Sequence, residues 1–259
     1  MPNSASPPNG AVRNPRAVLA CKRLIDVAGS LIAIVLTIPV MATVALALLI
    51  SDGRPVLFRQ ARVGRGGRTF TILKFRTMVK GAERMLGELQ SRNERQGPLF
   101  KLTQDPRVTR LGHFLRNSSI DELPQLLNVL KGDMSLVGPR PALPTETAQF
   151  GPELRDTRQR VRPGITGLWQ IKARDSASFE EYERLDCEYV EALTVRRDLA
   201  ILALTLPAVI GNARHRLTGS PASVPEVATS LAPWQTTTLY GRHLIDAQPL
   251  LIVQSQQQD

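Results

Sequence analysis

Residues that bind metals or form disulfides are scarce in this 259-residue chain, which has two cysteines, Cys21 and Cys187, and three histidines, His113, His215 and His243. Two cysteines make neither a disulfide framework nor a thiolate metal set, and a reducing compartment is the simpler setting. The histidines show no HxxxH or Cys/His spacing, so the sequence offers no zinc site and each reads as structural or surface. Charge is missing altogether from Leu31 to Ile50, and acidic residues are missing from Arg54 to Lys80. No internal repeat is visible, which leaves one catalytic domain of ordinary size plus appendages.

What is present is mostly positive. Lys and Arg number 33 against 23 Asp and Glu, a formal charge of +10, and the 42% hydrophobic content can supply a core. A polyanionic partner follows: nucleic acid, an anionic membrane surface or a phosphorylated substrate.

Residues 1–15 are rich in Pro, Asn and Ser and read as a disordered lead. The charge-free run of twenty residues is apolar on every face, unlike a core helix, and long enough for a membrane helix of about 30 Å. It continues past Ala45 and Ala47, too far for a cleaved signal peptide. Pro39 sits near its middle and removes a backbone hydrogen bond there. Basic residues flank both ends, Arg13, Arg16, Lys22 and Arg23 before it and Arg54, Arg59, Arg62, Arg65 and Arg68 after it. Both flanks therefore carry the charge expected on the cytosolic side. A re-entrant helix over 16–52, broken at Ile38-Pro39 and returning to the same face, satisfies both.

The segments Val56 to Phe58 and Thr69 to Phe75, around the turn Val63 to Arg68, predict a basic β-hairpin. Residues 82–95 read as a polar helix. Leucines at 123, 126, 127 and 130 predict a short helix closed by Gly132. Gly138-Pro139-Arg140-Pro141 and Arg162 to Gly167 read as loops of fixed shape. Ser178 with Glu181 opens a helix to Ala192, with Phe179, Tyr182, Asp186 and Tyr189 on one face. Leu199 to Ile210 suits a core or interfacial helix, and 217–259 forms an extension of unknown role.

Asp121 and Glu122 fall at the start of the leucine helix, with Ser119 positioned as its cap. Alone this is an ordinary helix start. Two adjacent acids among many arginines also meet the needs of phosphoryl transfer, in which one carboxylate attacks phosphorus. The second holds a divalent metal or moves a proton while guanidinium groups neutralise phosphate oxygens. Arg116, Arg140 and Arg162 each sit beside a proline or a helix start. Asp186, on an aromatic helix face, requires a metal or a salt bridge to an arginine.

Lys22-Arg23-Leu-Ile-Asp26, Phe58-Arg-Gln, Lys74-Phe75-Arg76-Thr77-Met78, Ser119-Ile-Asp121-Glu122-Leu-Pro-Gln, Asn128 to Ser135, Val137 to Pro141 and Val161 to Gly167 occur in this order. Together they resemble the bacterial sugar transferases, the monotopic phosphoglycosyl transferases, over about residues 20 to 212. The resemblance implies an α+β, monotopic membrane protein with a re-entrant helix-break-helix anchor and a small, mainly helical cytosolic domain (53–216) with a short β-hairpin. It implies transfer of a sugar-1-phosphate from a UDP-sugar to polyprenyl (undecaprenyl) phosphate, initiating surface polysaccharide or glycoconjugate synthesis. It places the chain on the cytoplasmic face of the bacterial inner membrane, with Mg2+ as cofactor and a homo-oligomer allowed.

By the same resemblance Asp121 is the nucleophile and Glu122 its partner. Lys74, Arg116, Arg140 and Arg174 bind substrate, Arg162 is a further substrate-binding candidate from its place beside Pro163, and Asp186 joins Asp121 and Glu122 as a metal contributor. The break is Ile38-Pro39 where small members have Ser-Pro, and Thr37 is the nearest hydroxyl. The competing reading is a non-catalytic basic protein gripping anionic lipid or nucleic acid. It explains the charge but not the acidic pair, since carboxylates repel polyanions, and nucleic acid is not expected as a partner.

Overall fold

The computed structural model describes residues 15–173 and 176–205. The charge-free run lies inside one helix, α1 (Pro15–Ser51), of 37 residues, about 55 Å if straight at 1.5 Å per residue. It is long and apolar enough to cross a membrane, and only 11% of its most apolar stretch is buried in the protein. Leu31, Ile32, Val35, Leu36 and Ile38 stand exposed together, an arrangement suited to lipid rather than water. The helix continues through Ile38-Pro39, where sequence predicts a break. Pro39 denies the Val35 carbonyl its usual donor. Thr37 does not replace it, since its hydroxyl donates to the Ala33 carbonyl at 2.6 Å, and Thr43 donates to the Pro39 carbonyl at 2.9 Å. Back-bonds of this kind bend helices.

After α1 comes the expected hairpin, β1 (Leu57–Val63) antiparallel to β2 (Thr69–Phe75), in register from Leu57↔Phe75 to Val63↔Thr69. The first strand begins one residue later than expected and runs five further, so Arg59 and Arg62 belong to it. Gly66 and Gly67 turn the chain at φ of +68° and +74°, conformations that glycine adopts without strain. The polar helix expected over 82–95 reduces to α2 (Leu86–Leu89) and a 3-10 turn, Gln90–Arg92. Of residues 82–95 only Ala82 and Leu89 are buried, too little apolar contact to sustain a longer helix.

Next come α3 (Arg110–Asn117), capped by Thr109, whose hydroxyl accepts from the Gly112 N–H at 3.0 Å, and α4 (Gln125–Lys131). Gly132 closes α4 in the left-handed region at φ +94° as its sequence indicates. The leucine stripe does not all face inward: Leu126 is buried with Gln125, Asn128 and Val129, while Leu127 is 45% exposed.

β3 (Ser135–Val137) and β4 (Gly164–Thr166) pair in parallel, Ser135↔Gly164 and Val137↔Thr166. Part of a segment expected to be pure loop is thus a strand. Two three-residue strands so far apart in sequence carry no local signal. A Cβ on Gly138 would stand 2.5 Å from the Arg162 carbonyl and 2.7 Å from the Gly164 nitrogen, so the two Pro/Arg loops meet backbone to backbone. Four helices complete the body: α5 (Pro144–Ala148), α6 (Pro152–Gln159), α7 (Leu168–Lys172) and α8 (Phe179–Glu191). Ser178 caps α8 as expected, accepting from the Glu181 N–H at 3.2 Å. Residues 195–205 are helical too, with Ile201 buried and Leu199 exposed. The main core gathers Val137, Leu154, Trp169, Tyr182, Leu185 and Tyr189.

Both arms of α1 are fastened to this body. In the first arm Lys22 Nζ donates to the Val137 carbonyl at 2.8 Å, the Tyr189 hydroxyl at 3.2 Å and Asp198 at 2.6 Å. Asp26 accepts from the Ser135 hydroxyl and the Leu136 N–H, both at 2.9 Å. Arg23 donates to the Val129 and Leu130 carbonyls at the end of α4. In the second arm Val44 and Leu48 are buried with Phe75 and Leu115.

Candidate active site

Between α3 and α4 the chain must reverse sharply, and Ser119 does so in the left-handed region at φ +57°. Its side chain makes no capping bond, contrary to the sequence expectation, and Asp121 and Glu122 occupy a 3-10 turn, Ile120–Glu122, ahead of α4. Asp121 is only 7% exposed. A carboxylate so enclosed is stable when cations face it.

They come from two sides. From β2, Lys74 Nζ donates to Glu122 Oε1 at 2.7 Å. From the end of α3, Arg116 Nε donates to the Thr77 hydroxyl at 2.8 Å. Burial lowers the Arg116 pKa against the opposing pull of Asp121 first, then Asp105, so the nucleophile candidate is the acid it feels most strongly. On the other side Arg140 donates to Glu146 at 3.2 Å, and Arg62 stands 3.8 Å from the same carboxylate while donating to the Pro141 carbonyl at 3.0 Å. Burial, then repulsion from Arg140, brings Arg62 down to about 10, and Glu146 and Glu122 pull the other way. Arg140 also feels Glu122 and, despite its burial, is raised by Glu146 and its neighbours. The Arg62 Nε has no hydrogen-bond partner among the described residues. Two crowded guanidinium groups with a spare buried donor make a receptor for an anion.

Beneath Arg140 lies a buried pedestal. Arg158 bonds the Arg140 carbonyl, Asp186 and, at 2.5 Å, the Tyr182 hydroxyl. Burial pushes Asp186 up to about 6 although Arg158 and Arg140 oppose it.

Lys74 thus bonds Glu122, while Arg116 lies in the field of Asp121 and Arg140 in that of Glu122. Arg162 stands apart: its Nε donates to the Gly132 carbonyl at 2.7 Å, at the far end of α4, in the field of Arg23 and Arg65. Arg174 lies outside the described residues, as do 1–14 and 206–259. Sequence reasoning missed Arg62, Glu146 and Arg158. Arg62 lay in view within the basic hairpin, whereas α6 gives no sign that Arg158 turns inward.

Among the described residues no three His, Cys, Asp or Glu side chains converge on a metal position. Asp186 is 2% exposed and committed to Arg158 and Tyr182, so its carboxylate does not suit a metal shared with Asp121. Mg2+ commonly takes one or two carboxylates, with waters and substrate phosphates supplying the rest. Asp121 and Glu122 suit that donor set.

A long, largely unburied apolar helix bonded to a small domain, with lysine and arginine beside an acid pair, is the arrangement expected of a membrane-associated protein. The family model for the bacterial sugar transferases matches residues 17–212, and the chain belongs to that family. It is 42% identical over 193 residues to the galactosyl transferase CpsE of Streptococcus agalactiae, covering 74% of this chain and 42% of that protein. It is 40% identical over 208 residues to the exopolysaccharide production protein ExoY of Rhizobium meliloti, covering 77% and 89%. With the UDP-glucose:undecaprenyl-phosphate glucose-1-phosphate transferase of Caulobacter vibrioides it shares 39% over 198 residues, covering 73% and 69%. The chain thus matches about two fifths of the length of CpsE and most of ExoY.

Proposed function

We propose that this chain transfers a sugar-1-phosphate from a UDP-sugar to undecaprenyl phosphate through a phosphosugar ester of Asp121. The observation that carries this is the burial of Asp121 at 7% exposure next to Glu122, with Arg116 in the field of Asp121 and with Arg62 and Arg140 in the field of Glu122. An Asp121 oxygen attacks the β-phosphorus of the UDP-sugar, the bond from that phosphorus to the bridging oxygen breaks, and UMP leaves. A phosphate oxygen of the acceptor then attacks the same phosphorus, breaking its bond to Asp121 and restoring the carboxylate. The product is the sugar on a polyprenyl diphosphate. Such in-line displacements depend mainly on positioning and charge neutralisation.

Arg62 and Arg140 hold the diphosphate oxygens, Arg116 aims Asp121, and Lys74 orients Glu122 to take the acceptor's proton. Asp121 and Glu122 would hold Mg2+, which supplies further positive charge against the phosphate oxygens. The relatives named as a galactosyl transferase and as a UDP-glucose:undecaprenyl-phosphate glucose-1-phosphate transferase support this donor and acceptor class.

The anchor is read as re-entrant, on the cytoplasmic face of the inner membrane. Arg23 reaches Val129, which clusters with Ile72, and Ile72 lies three residues from Phe75, the partner of Leu48. Both arms therefore rest on one β2–α4 block, although a straight helix would part Arg23 and Leu48 by about 37 Å.

Purified protein in nanodiscs, given a panel of UDP-sugars headed by UDP-galactose and UDP-glucose, is expected to release one equivalent of UMP without acceptor. It is expected to gain one sugar phosphate by mass spectrometry at Asp121. UMP release surviving intact in Asp121→Asn removes the mechanism.

A further inference from the structure

Where the chain leaves α1 it passes an open groove of about 600 Å³, walled by Pro55, Val56, Leu57 and Phe58 and edged by Arg59, Arg76 and Glu83. Arg76 is the unusual member. It is 7% exposed, and its Nη2 donates to the Asp52 and Gly53 carbonyls at 2.7 and 2.8 Å. Its Nη1 is buried with no partner among the described residues. A buried charged donor left unmatched is costly unless a ligand completes it. The wall opposite is apolar, so the groove suits an anion carried on a hydrocarbon chain better than a free phosphate or a sugar.

Its position narrows the choice. Pro55 lies four residues beyond Ser51, the end of the lipid-facing helix. Phe58 pairs directly across the hairpin with Lys74, so the two share one face of the sheet at about 5 Å, and the Lys74 ammonium is the one bonded to Glu122. The groove thus begins near the helix exit, and its Phe58 wall is the cross-strand neighbour of the lysine that bonds Glu122.

We propose that this groove seats the acceptor, with the first isoprene units of undecaprenyl phosphate along Val56 and Phe58 and its phosphate drawn to Arg76. The assignment rests on the reading of the chain as a transferase to polyprenyl phosphate. Glu83 on the rim repels a phosphate and helps fix its place on the arginine side.

The test uses the full chain in nanodiscs with two readouts. In the first, undecaprenyl phosphate bearing a diazirine near its phosphate is photolysed without any UDP-sugar. Label on residues 55–59, displaced by unlabelled undecaprenyl phosphate and not by phosphatidylglycerol, supports the groove; label elsewhere, or equal displacement by phosphatidylglycerol, overturns it. In the second, Val56→Trp fills the groove. The KM for undecaprenyl phosphate is expected to rise about tenfold, with the acceptor-free UMP burst and the KM for UDP-sugar as in the wild type. An unchanged acceptor KM with an intact burst overturns the proposal; if Val56→Trp lacks the burst, the wild-type labelling pattern decides. Failure of the wild type to release UMP from any UDP-sugar defeats the transferase reading instead, and the labelling experiment separates the two.

Discussion

Lys22 offers the sharpest quantitative test of how the anchor is joined to the domain. Its ammonium is 6% exposed and its partner carboxylate on Asp198 is 5% exposed. Lys22→Met deletes three hydrogen bonds and leaves Asp198 buried beside Tyr189 without its cation. Breaking a buried pair from one side costs about 3–5 kcal/mol, which for a domain of this size lowers Tm by about 10 °C. Asp198→Leu leaves the lysine stranded and costs a similar amount. The double variant Lys22→Met/Asp198→Leu removes both charges and replaces them with apolar volume, so it is expected to recover most of the loss, with a coupling of about 2 kcal/mol or more. Thermal unfolding of all four proteins in one detergent, followed by circular dichroism, completes the cycle. Single variants within about 1 kcal/mol of wild type, or a double variant as damaged as the sum of the singles, would refute the buried latch.

Three shorter expectations follow from the same geometry. Arg140→Lys keeps the charge but loses the planar fork, and it should raise the KM for UDP-sugar at least about tenfold in a UMP-release assay; an unchanged KM would detach Arg140 from the diphosphate. Ser119→Gly relieves a left-handed residue and should stabilise the fold by about 1 kcal/mol, whereas Ser119→Val should destabilise it; urea unfolding midpoints in the reverse order would contradict the strained turn. Asp186 holds its proton more tightly in the folded chain, at about 6 against 3.8. Its stabilising contribution is therefore full below about pH 4 and is lost as the pH rises through 6, on the order of 3 kcal/mol in all. The difference in stability between wild type and Asp186→Asn should carry that slope over pH 4–6, and a flat difference would remove it.

The parts legible in the sequence are those governed by local rules. Gly132 and Ser178 end and start helices because their backbone and hydroxyl chemistry act within a turn, and the charge-free run declares α1 by length alone. The hairpin was visible through its turn glycines. The β3–β4 ladder, three residues on each side, exists only because the Gly138 and Gly164 backbones touch. Arg62, Glu146 and Arg158 could not be singled out, since a buried arginine differs from a surface one only in its distant partners. Arg162, followed by proline and glycine like Arg140 by proline, reads like Arg140 in one dimension, yet its Nε reaches the Gly132 carbonyl at the far end of α4. The leucines of α4 mislead for a related reason: beside a lipid-facing helix, an apolar stripe need not point to the protein interior.

The two-sided fastening of α1 bears on how this protein can be handled. Val44 and Leu48 complete the packing around Phe75 and Leu115, and Lys22 neutralises Asp198 from within the interior. Cutting the chain after residue 52 would therefore remove structural members of the catalytic body along with the long apolar helix. The fragment would carry an open hydrophobic slot and an unbalanced buried acid, and it should collect in inclusion bodies instead of yielding a water-soluble enzyme.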